Sequence, residues 1–263
     1  MKIISIGTLK GGTGKTTMTF NIAGALAEKS KVLMIDVDPQ CNLSNDTGID
    51  ITRASSYSAK DIFQVNPPSP EELVISSPIS LLPNLDIIPG NIFLIETELN
   101  LTTRAGRETI LNNYIEDNEE FFSRYDYIVI DTNPSMGPVN QNAFYASDSI
   151  ILVSDVDNNS RMGVQLFMFL WERICKAMRI KSNINALILN RADDRTTLTG
   201  DIWEYYRDDD ELSAILIGQP VHERIAFRRA ALKKLPINLY KEGKTSAEEI
   251  YSVVKELKER KVL

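Results

Sequence analysis

Lys10, Gly11, Gly12, Thr13, Gly14, Lys15, Thr16 and Thr17 stand in one unbroken run, KGGTGKTT. Glycines at three of four adjacent positions let backbone amides turn inward onto phosphate oxygens, an amine at Lys15 reaches β and γ phosphates, and the Thr16 hydroxyl can ligate Mg2+. A helix that starts directly after the loop adds the positive end of its dipole. The strict pattern G-x-x-x-x-G-K-[S/T] is not met, because Leu9 stands where its first glycine belongs. What remains is a variant phosphate loop with an additional lysine, Lys10. A glycine-rich turn without a ligand is the weaker reading, since the loop follows a strand and precedes a helix, the context the motif requires.

Two further segments bring carboxylates to the ends of apolar runs. MIDVDPQCN, Met34 to Asn42, carries Asp36 and Asp38. A carboxylate beside a phosphate chain can bind the metal through water while a second orients the attacking water, so Asp36 is assigned to the metal shell and Asp38 to the water. YDYIVIDTNPS, Tyr125 to Ser135, delivers Asp131 from the end of a strand. Such an aspartate is commonplace alone and gains meaning beside the other two segments.

The elements that must position these residues follow from periodicity. Ile3 to Gly7 reads as a buried strand, followed by the glycine-rich turn and a helix from about Lys15 with Ile22, Ala25 and Leu26 on one face. Val32 to Val37 is a second strand, which completes a right-handed βαβ unit and hence a parallel pair. Between Thr47 and Pro83, serine and four prolines (Pro67, Pro68, Pro70, Pro78) predict a short helix and surface loops. Strands are expected at Leu85–Ile88, Tyr127–Ile130, Ser149–Val153 and Ile184–Leu189, and helices at Arg107–Phe122, Gly163–Met178 and Ser246–Arg260, the last capped by Thr245 or Ser246. Continuous rather than alternating apolar runs mean strands covered on both faces. The expectation is an α/β fold, a doubly wound, mostly parallel sheet with helices on both faces, as in P-loop NTPases. Residues 1–263 are expected to form one domain, with the ligand beyond the carboxyl ends of the strands.

Along nearly its whole length the chain resembles the ParA/Soj family of DNA-partitioning ATPases, which carry the deviant form of the phosphate loop. The match runs through KGGTGKTT, the DxDPQ segment at Asp36–Gln40, the strand ending at Asp131, NAFYASDSIILV, LILNRADDRTT and HERIAFRRAALKK. The resemblance implies ATP/ADP and Mg2+ as ligands, with Lys10 as the signature lysine that crosses a dimer interface to the partner's nucleotide. Asp131 takes the role of the Walker B acid near Mg2+, and Asp157 that of an acid contacting the partner's ribose. Asn190 either pairs with adenine or caps the end of its strand, and both readings stand. Relatives bind DNA without sequence preference through the region of Arg224, Arg228, Arg229, Lys233 and Lys234, with Arg195 a more distant candidate. Two departures stand out: Cys41 replaces the family's usual glycine, and Asn133 replaces the first of two prolines after Thr132.

Charge and composition bound the function. The net charge of −7 argues against overall positive potential, but Val221 to Lys244 holds seven Lys or Arg against two acids. Such a run is ordinarily a solvated face, and the resemblance tips it toward phosphate contacts. Cys41 and Cys175 are too few and too far apart for a metal site or disulfide framework, and free thiols fit a reducing compartment. No run is long and apolar enough to span a bilayer, and MKIISIG lacks the layout of a signal peptide. The start of the first strand leaves no room for a helix-turn-helix module, so sequence-specific operator binding is not expected.

These features predict a cytoplasmic, nucleoid-associated ATPase: a homodimer with ATP that binds DNA and works with a ParB-like centromere-binding protein. A MinD-like membrane-cycling ATPase is the alternative. It would need a C-terminal amphipathic helix with a basic face and bulky apolar residues, and EEIYSVVKELKERKVL has mixed charge and no terminal Phe or Trp. A cluster-holding reductase would need cysteines after the Asp131 strand, and a small-molecule kinase gives no reason for Lys10 together with the basic segment.

Overall fold

The strands are β1 (Lys2–Gly7), β2 (Val32–Asp36), β3 (Ile75–Ser76), β4 (Leu85–Ile88), β5 (Tyr127–Asp131), β6 (Ser149–Asp155), β7 (Ile184–Ala192) and β8 (Val221–His222). In the computed structural model, which describes residues 1–50 and 57–263, they form one sheet in the order β3-β4-β2-β5-β1-β6-β7-β8. Pairing is parallel throughout except for β3 against β4.

Side-chain alternation along these strands divides the core into layers. Ile4, Ile6, Met34, Ile87, Val129 and Ile188 point to the layer shared by the helix Lys15–Ala27 and the helix Lys244–Glu259. Ile3, Leu33, Ile35, Ile128 and Ile130 point the other way, as do Ile150, Leu152, Leu187 and Leu189, which meet Phe167 and Trp171 of the helix Asn158–Met178. Burial on both faces explains the unbroken apolar runs, and each fully buried aliphatic side chain contributes about 1.5–3 kcal/mol. The closing helix commits Ile250, Val253, Val254 and Leu257 to this core.

The helix Lys15–Ala27 is also clamped from the side. Asn21 Oδ1 accepts a 2.6 Å hydrogen bond from the Ile237 amide. One turn on, Gly24 lies so close to Pro236 that a Cβ would overlap its ring.

Several boundaries differ from the sequence expectations. The expected helix Arg107–Phe122 is two, Ile110–Asp117 and Glu119–Phe122, broken at Asn118, whose side-chain amide donates to the Tyr114 carbonyl at 2.8 Å and competes with the backbone ladder. The helix expected from Gly163 starts at Asn158, because Asp157 caps it by accepting from the Asn159 amide at 2.7 Å. Gly243 occupies the N-cap of the last helix, and Ser246 is buried inside it. The segment Thr47–Pro83 holds a 3-10 turn at Ala59–Phe63, the short helix Pro70–Leu73 and β3, while residues 51–56 of it lie outside the described residues. Among the described residues no helix is long and apolar enough to cross a membrane.

Candidate nucleotide site

The loop after β1 turns on two glycines in the left-handed region, Gly12 (φ 84°) and Gly14 (φ 94°). Gly14 is doubly constrained, since a Cβ there would also collide with the Asn190 side chain. Lys15 opens the helix and is 7% exposed; burial lowers its pKa, and attraction to Asp131 and Asp38 opposes the shift. The Thr13 hydroxyl is buried in the loop with no hydrogen-bond partner among the described residues. Gly11, Gly12, Gly14, Lys15, Thr16, Thr17, Asp38, Gln40, Asn42, Pro134 and Arg191 line one cleft of about 270 Å3.

Behind the loop, Asp36 and Asp131 face each other in register on β2 and β5, both fully buried. Asp131 accepts from the hydroxyls of Thr16 (2.7 Å) and Thr19 (2.9 Å). Asp36 accepts from the Ser44 hydroxyl (2.6 Å) and amide (2.9 Å). Burial, and next the charge of Asp36, push Asp131 up to about 8; burial pushes Asp36 to about 6 against the Ser44 hydrogen bonds. Asp38 is 6% exposed at the cleft, its Oδ1 taking the Gln40 amide at 2.8 Å.

Two adjacent carboxylates raised by burial, beside a threonine hydroxyl, are a hard-oxygen donor set suited to a small divalent cation. No group of three or more His, Cys, Asp or Glu among the described residues is arranged to hold a metal. The donor set therefore fits an ion that completes its shell with phosphate oxygens and water, as Mg2+ does. The unpartnered Thr13 hydroxyl and the glycine cradle fit a phosphate chain in the same cleft.

Lys10 stands at the rim. Its Nζ lies 3.0 Å from Asp155 Oδ1, and 3.3 Å from Asp157 Oδ1. Asp157 is held below the usual carboxylate range by the Asn159 amide and then by Lys10. Asn190, at the end of β7, donates its amide hydrogen to the Thr13 carbonyl at 2.7 Å, the geometry of a strap under the loop.

The two sequence departures have local accounts. Cys41 is left-handed (φ 53°), a conformation that glycine adopts without strain. Asn133 sits in a turn gathered by Asn140, whose amide donates to the Asn133 carbonyl (2.8 Å) and side chain (2.9 Å) and to the Ser135 carbonyl (2.9 Å). Residues that motif reading overlooks are Thr19, Ser44, Asn140, Asp155 and Arg191. Of these only Thr19 had a signal, one helical turn beyond Thr16.

Following β8, which pairs with the end of β7, most of the candidate DNA residues gather on and around the helix Ile225–Leu232. Arg224 pairs with Glu249 (2.9 Å) and Arg228 with Glu223 (2.8 Å). Arg195 is clasped by Asp193 (2.7 Å), whose carboxyl it draws down to about 2. His222 bridges Asp194 (3.1 Å) and Glu249 (2.9 Å), which ties the Arg195 turn to Arg224. Lys233 lies over the Tyr240 ring, Lys234 reaches the Asn45 side chain, and Arg229 has no ion pair among the described residues.

Residues 1–185 match a family profile described as an AAA domain. The chain is 30% identical to the sporulation initiation inhibitor protein Soj of Bacillus subtilis (strain 168), over 97% of this chain and 98% of that protein. It is 30% identical to an uncharacterized protein of Mycobacterium tuberculosis over 74% of this chain, a stretch that spans 59% of that protein's length. Among solved structures, one described as a plasmid partition protein from Borrelia burgdorferi B31, bound to AMPPNP, superposes with a TM-score of 0.77 at 25% identity, covering 97% of this chain and 98% of that one.

Proposed function

This chain belongs to the ParA/Soj family of partition ATPases, and from that premise we propose that it is an ATP-dependent dimer switch. It hydrolyses ATP, binds DNA without sequence preference, and partitions plasmid or chromosomal DNA with a ParB-like centromere-binding partner. It works in the cytoplasm on the nucleoid. The observation that carries this reading is the complete phosphate loop at Lys10–Thr17 with Asp36 and Asp131 buried directly behind Thr16.

Each residue then has a task. Gly11 to Gly14 present amides to the phosphate chain, with Thr16 and Thr17 at the helix start, and Lys15 offsets charge on the β and γ phosphates. Thr16 would hold Mg2+ directly, with Asp36 and Asp131 behind it, and the ion would supply charge neutralisation to the transferred phosphoryl group. Asp38 accepts a proton from, and aims, the attacking water. Lys10 extends to the nucleotide of a second copy, so that only the ATP-bound pair is complete and turnover is slow until a partner acts. Asp157 meets the partner's ribose, and Asn190 flanks the base while strapping the loop. DNA phosphates are met by Arg224, Arg228, Arg229, Lys233 and Lys234, with Arg195 alongside.

The packed closing helix speaks against the MinD-like alternative, because its apolar face is already spent on the core. The deciding experiment is binding to a random-sequence duplex with ATP, ADP or no nucleotide over a salt series, with Lys15→Ala and Arg229→Glu beside the parent. ATP-dependent, salt-sensitive binding lost in both variants supports the reading. Dimers that form with ATP and ignore DNA at every salt concentration overturn its DNA half, and liposome binding would then decide for the alternative.

A further inference from the structure

β7 carries a bulge at the edge of the nucleotide cleft. Asn190 pairs with Val221 and Ala192 with His222, so Arg191 is an extra residue with no counterpart on β8. Its backbone is left-handed (φ 58°), a conformation that costs an L side chain energy and that glycine would adopt freely. Strict alternation would send Arg191 to the same side as Leu187 and Leu189, away from the phosphate-loop helix. Instead it lines the cleft with Gly11, Gly14, Lys15 and Thr17. Bulges beside active sites are devices for re-aiming one side chain. The re-aimed guanidinium is exposed and makes no hydrogen bond, ion pair or ring contact among the described residues, unlike Arg195 and Arg224 nearby in the fold.

We propose that Arg191 is a nucleotide-binding residue whose guanidinium closes on the phosphate chain held by the loop. The inference rests on the nucleotide reading of that cleft and adds to it a cation supplied from the end of β7. Arginine suits this task, because its planar fork donates two parallel hydrogen bonds to phosphate oxygens. Strain at a residue that glycine would relieve is retained because the side chain is needed.

The test is calorimetric titration of the full chain with ATP, ADP and inorganic tripolyphosphate in Mg2+, comparing the parent with Arg191→Ala, Arg191→Lys, Arg191→Gly and Lys15→Ala. Arg191→Ala and Arg191→Gly are expected to weaken all three ligands by about ten- to a hundred-fold, the range of one charge-assisted contact. Arg191→Lys should fall between them and the parent. Arg191→Gly should melt no lower than the parent, which separates a lost ligand contact from a damaged fold. Affinities of Arg191→Ala within about two-fold of the parent overturn the proposal. So does a loss confined to ATP and ADP with tripolyphosphate unaffected, because that would place the contact on the nucleoside. A folded parent that binds none of the three, like Lys15→Ala, would instead sink the nucleotide reading itself.

Discussion

Lys10 Nζ lies 3.0 Å from Oδ1 of Asp155 on the same chain, and the Gly163 backbone packs close beside Lys10. The lysine assigned to a partner's nucleotide is thus engaged in cis. With side chains 26% and 14% exposed the pair is largely covered, and it contributes about 1 kcal/mol, the upper end of the range for screened pairs, so release is cheap but not free. Asp155→Asn keeps an acceptor for the Ser160 hydroxyl and removes the charge. It should lower the concentration for half-maximal ATP-dependent dimerisation by up to about five-fold, read by analytical ultracentrifugation. Weaker dimerisation would mean that Asp155 serves the dimer rather than restraining it.

Asp131 and Asp36 repel each other in a buried site when no cation stands between them. At pH 9, above the value of about 8 to which Asp131 is raised, Asp131→Asn removes one charge and preserves the shape. Without nucleotide it is expected to melt at or a few degrees above the parent, about 2–4 °C for each kcal/mol gained, while Mg2+-dependent ATP hydrolysis falls by at least about a hundred-fold. A variant that melts well below the parent would show that the Thr16 and Thr19 hydrogen bonds outweigh the repulsion.

Burial pushes the Cys41 thiol up to about 12 and the Cys175 thiol to about 11. A raised pKa keeps both protonated at neutral and mildly alkaline pH, and thiolate is the reactive form. A disulfide reagent at pH 8 should label neither in the native protein and both in denaturant. Cys41→Gly relieves a left-handed residue, worth about 1–2 kcal/mol, but forfeits buried sulfur and loosens the unfolded chain. Its melting point should stay within a few degrees of the parent's, whereas a β-branched Cys41→Val should lose much more.

On the basic face, Arg228 already holds Glu223, while among the described residues Arg229 has no acidic partner and Lys233 only a ring. Arg229→Ala with Lys233→Ala should reduce the slope of log affinity against log salt by about two, since each phosphate contact releases about 0.9 counterion. Arg228→Ala combined with Glu223→Gln should change it by less than one contact's worth, because the two charges already offset each other in the parent. Equal slopes in all three proteins would move the DNA surface elsewhere.

What could be read from residues alone follows from how local each cause is. β4 was bounded correctly, and β1, β2 and β5 to within a residue, because both faces are buried and apolar residues dominate their sequence. β6 and β7 run past their apolar stretches because Asp155 and Asn190 pair with each other across the sheet, which no single strand announces. β3 and β8, two residues each, exist only through their neighbours. In the site, the loop glycines and Lys15 were legible because backbone geometry demands them. Ser44, Asn140 and Arg191 were not: Ser44 meets Asp36 through a turn, Asn140 gathers a loop behind it, and the Arg191 bulge is created by β8.

The helix Lys15–Ala27 begins at the phosphate loop, and at Asn21 and Gly24 it grips Ile237 and Pro236, just after the basic helix Ile225–Leu232. Six to nine residues of α-helix separate these two ends, a strut of about 9–14 Å. A rigid rod that short transmits tilt rather than absorbing it, and the close contact at Gly24 leaves no slack at the joint. The phosphate loop and the segment that follows the basic helix are thus joined by one short, tightly packed element that lies outside the sheet.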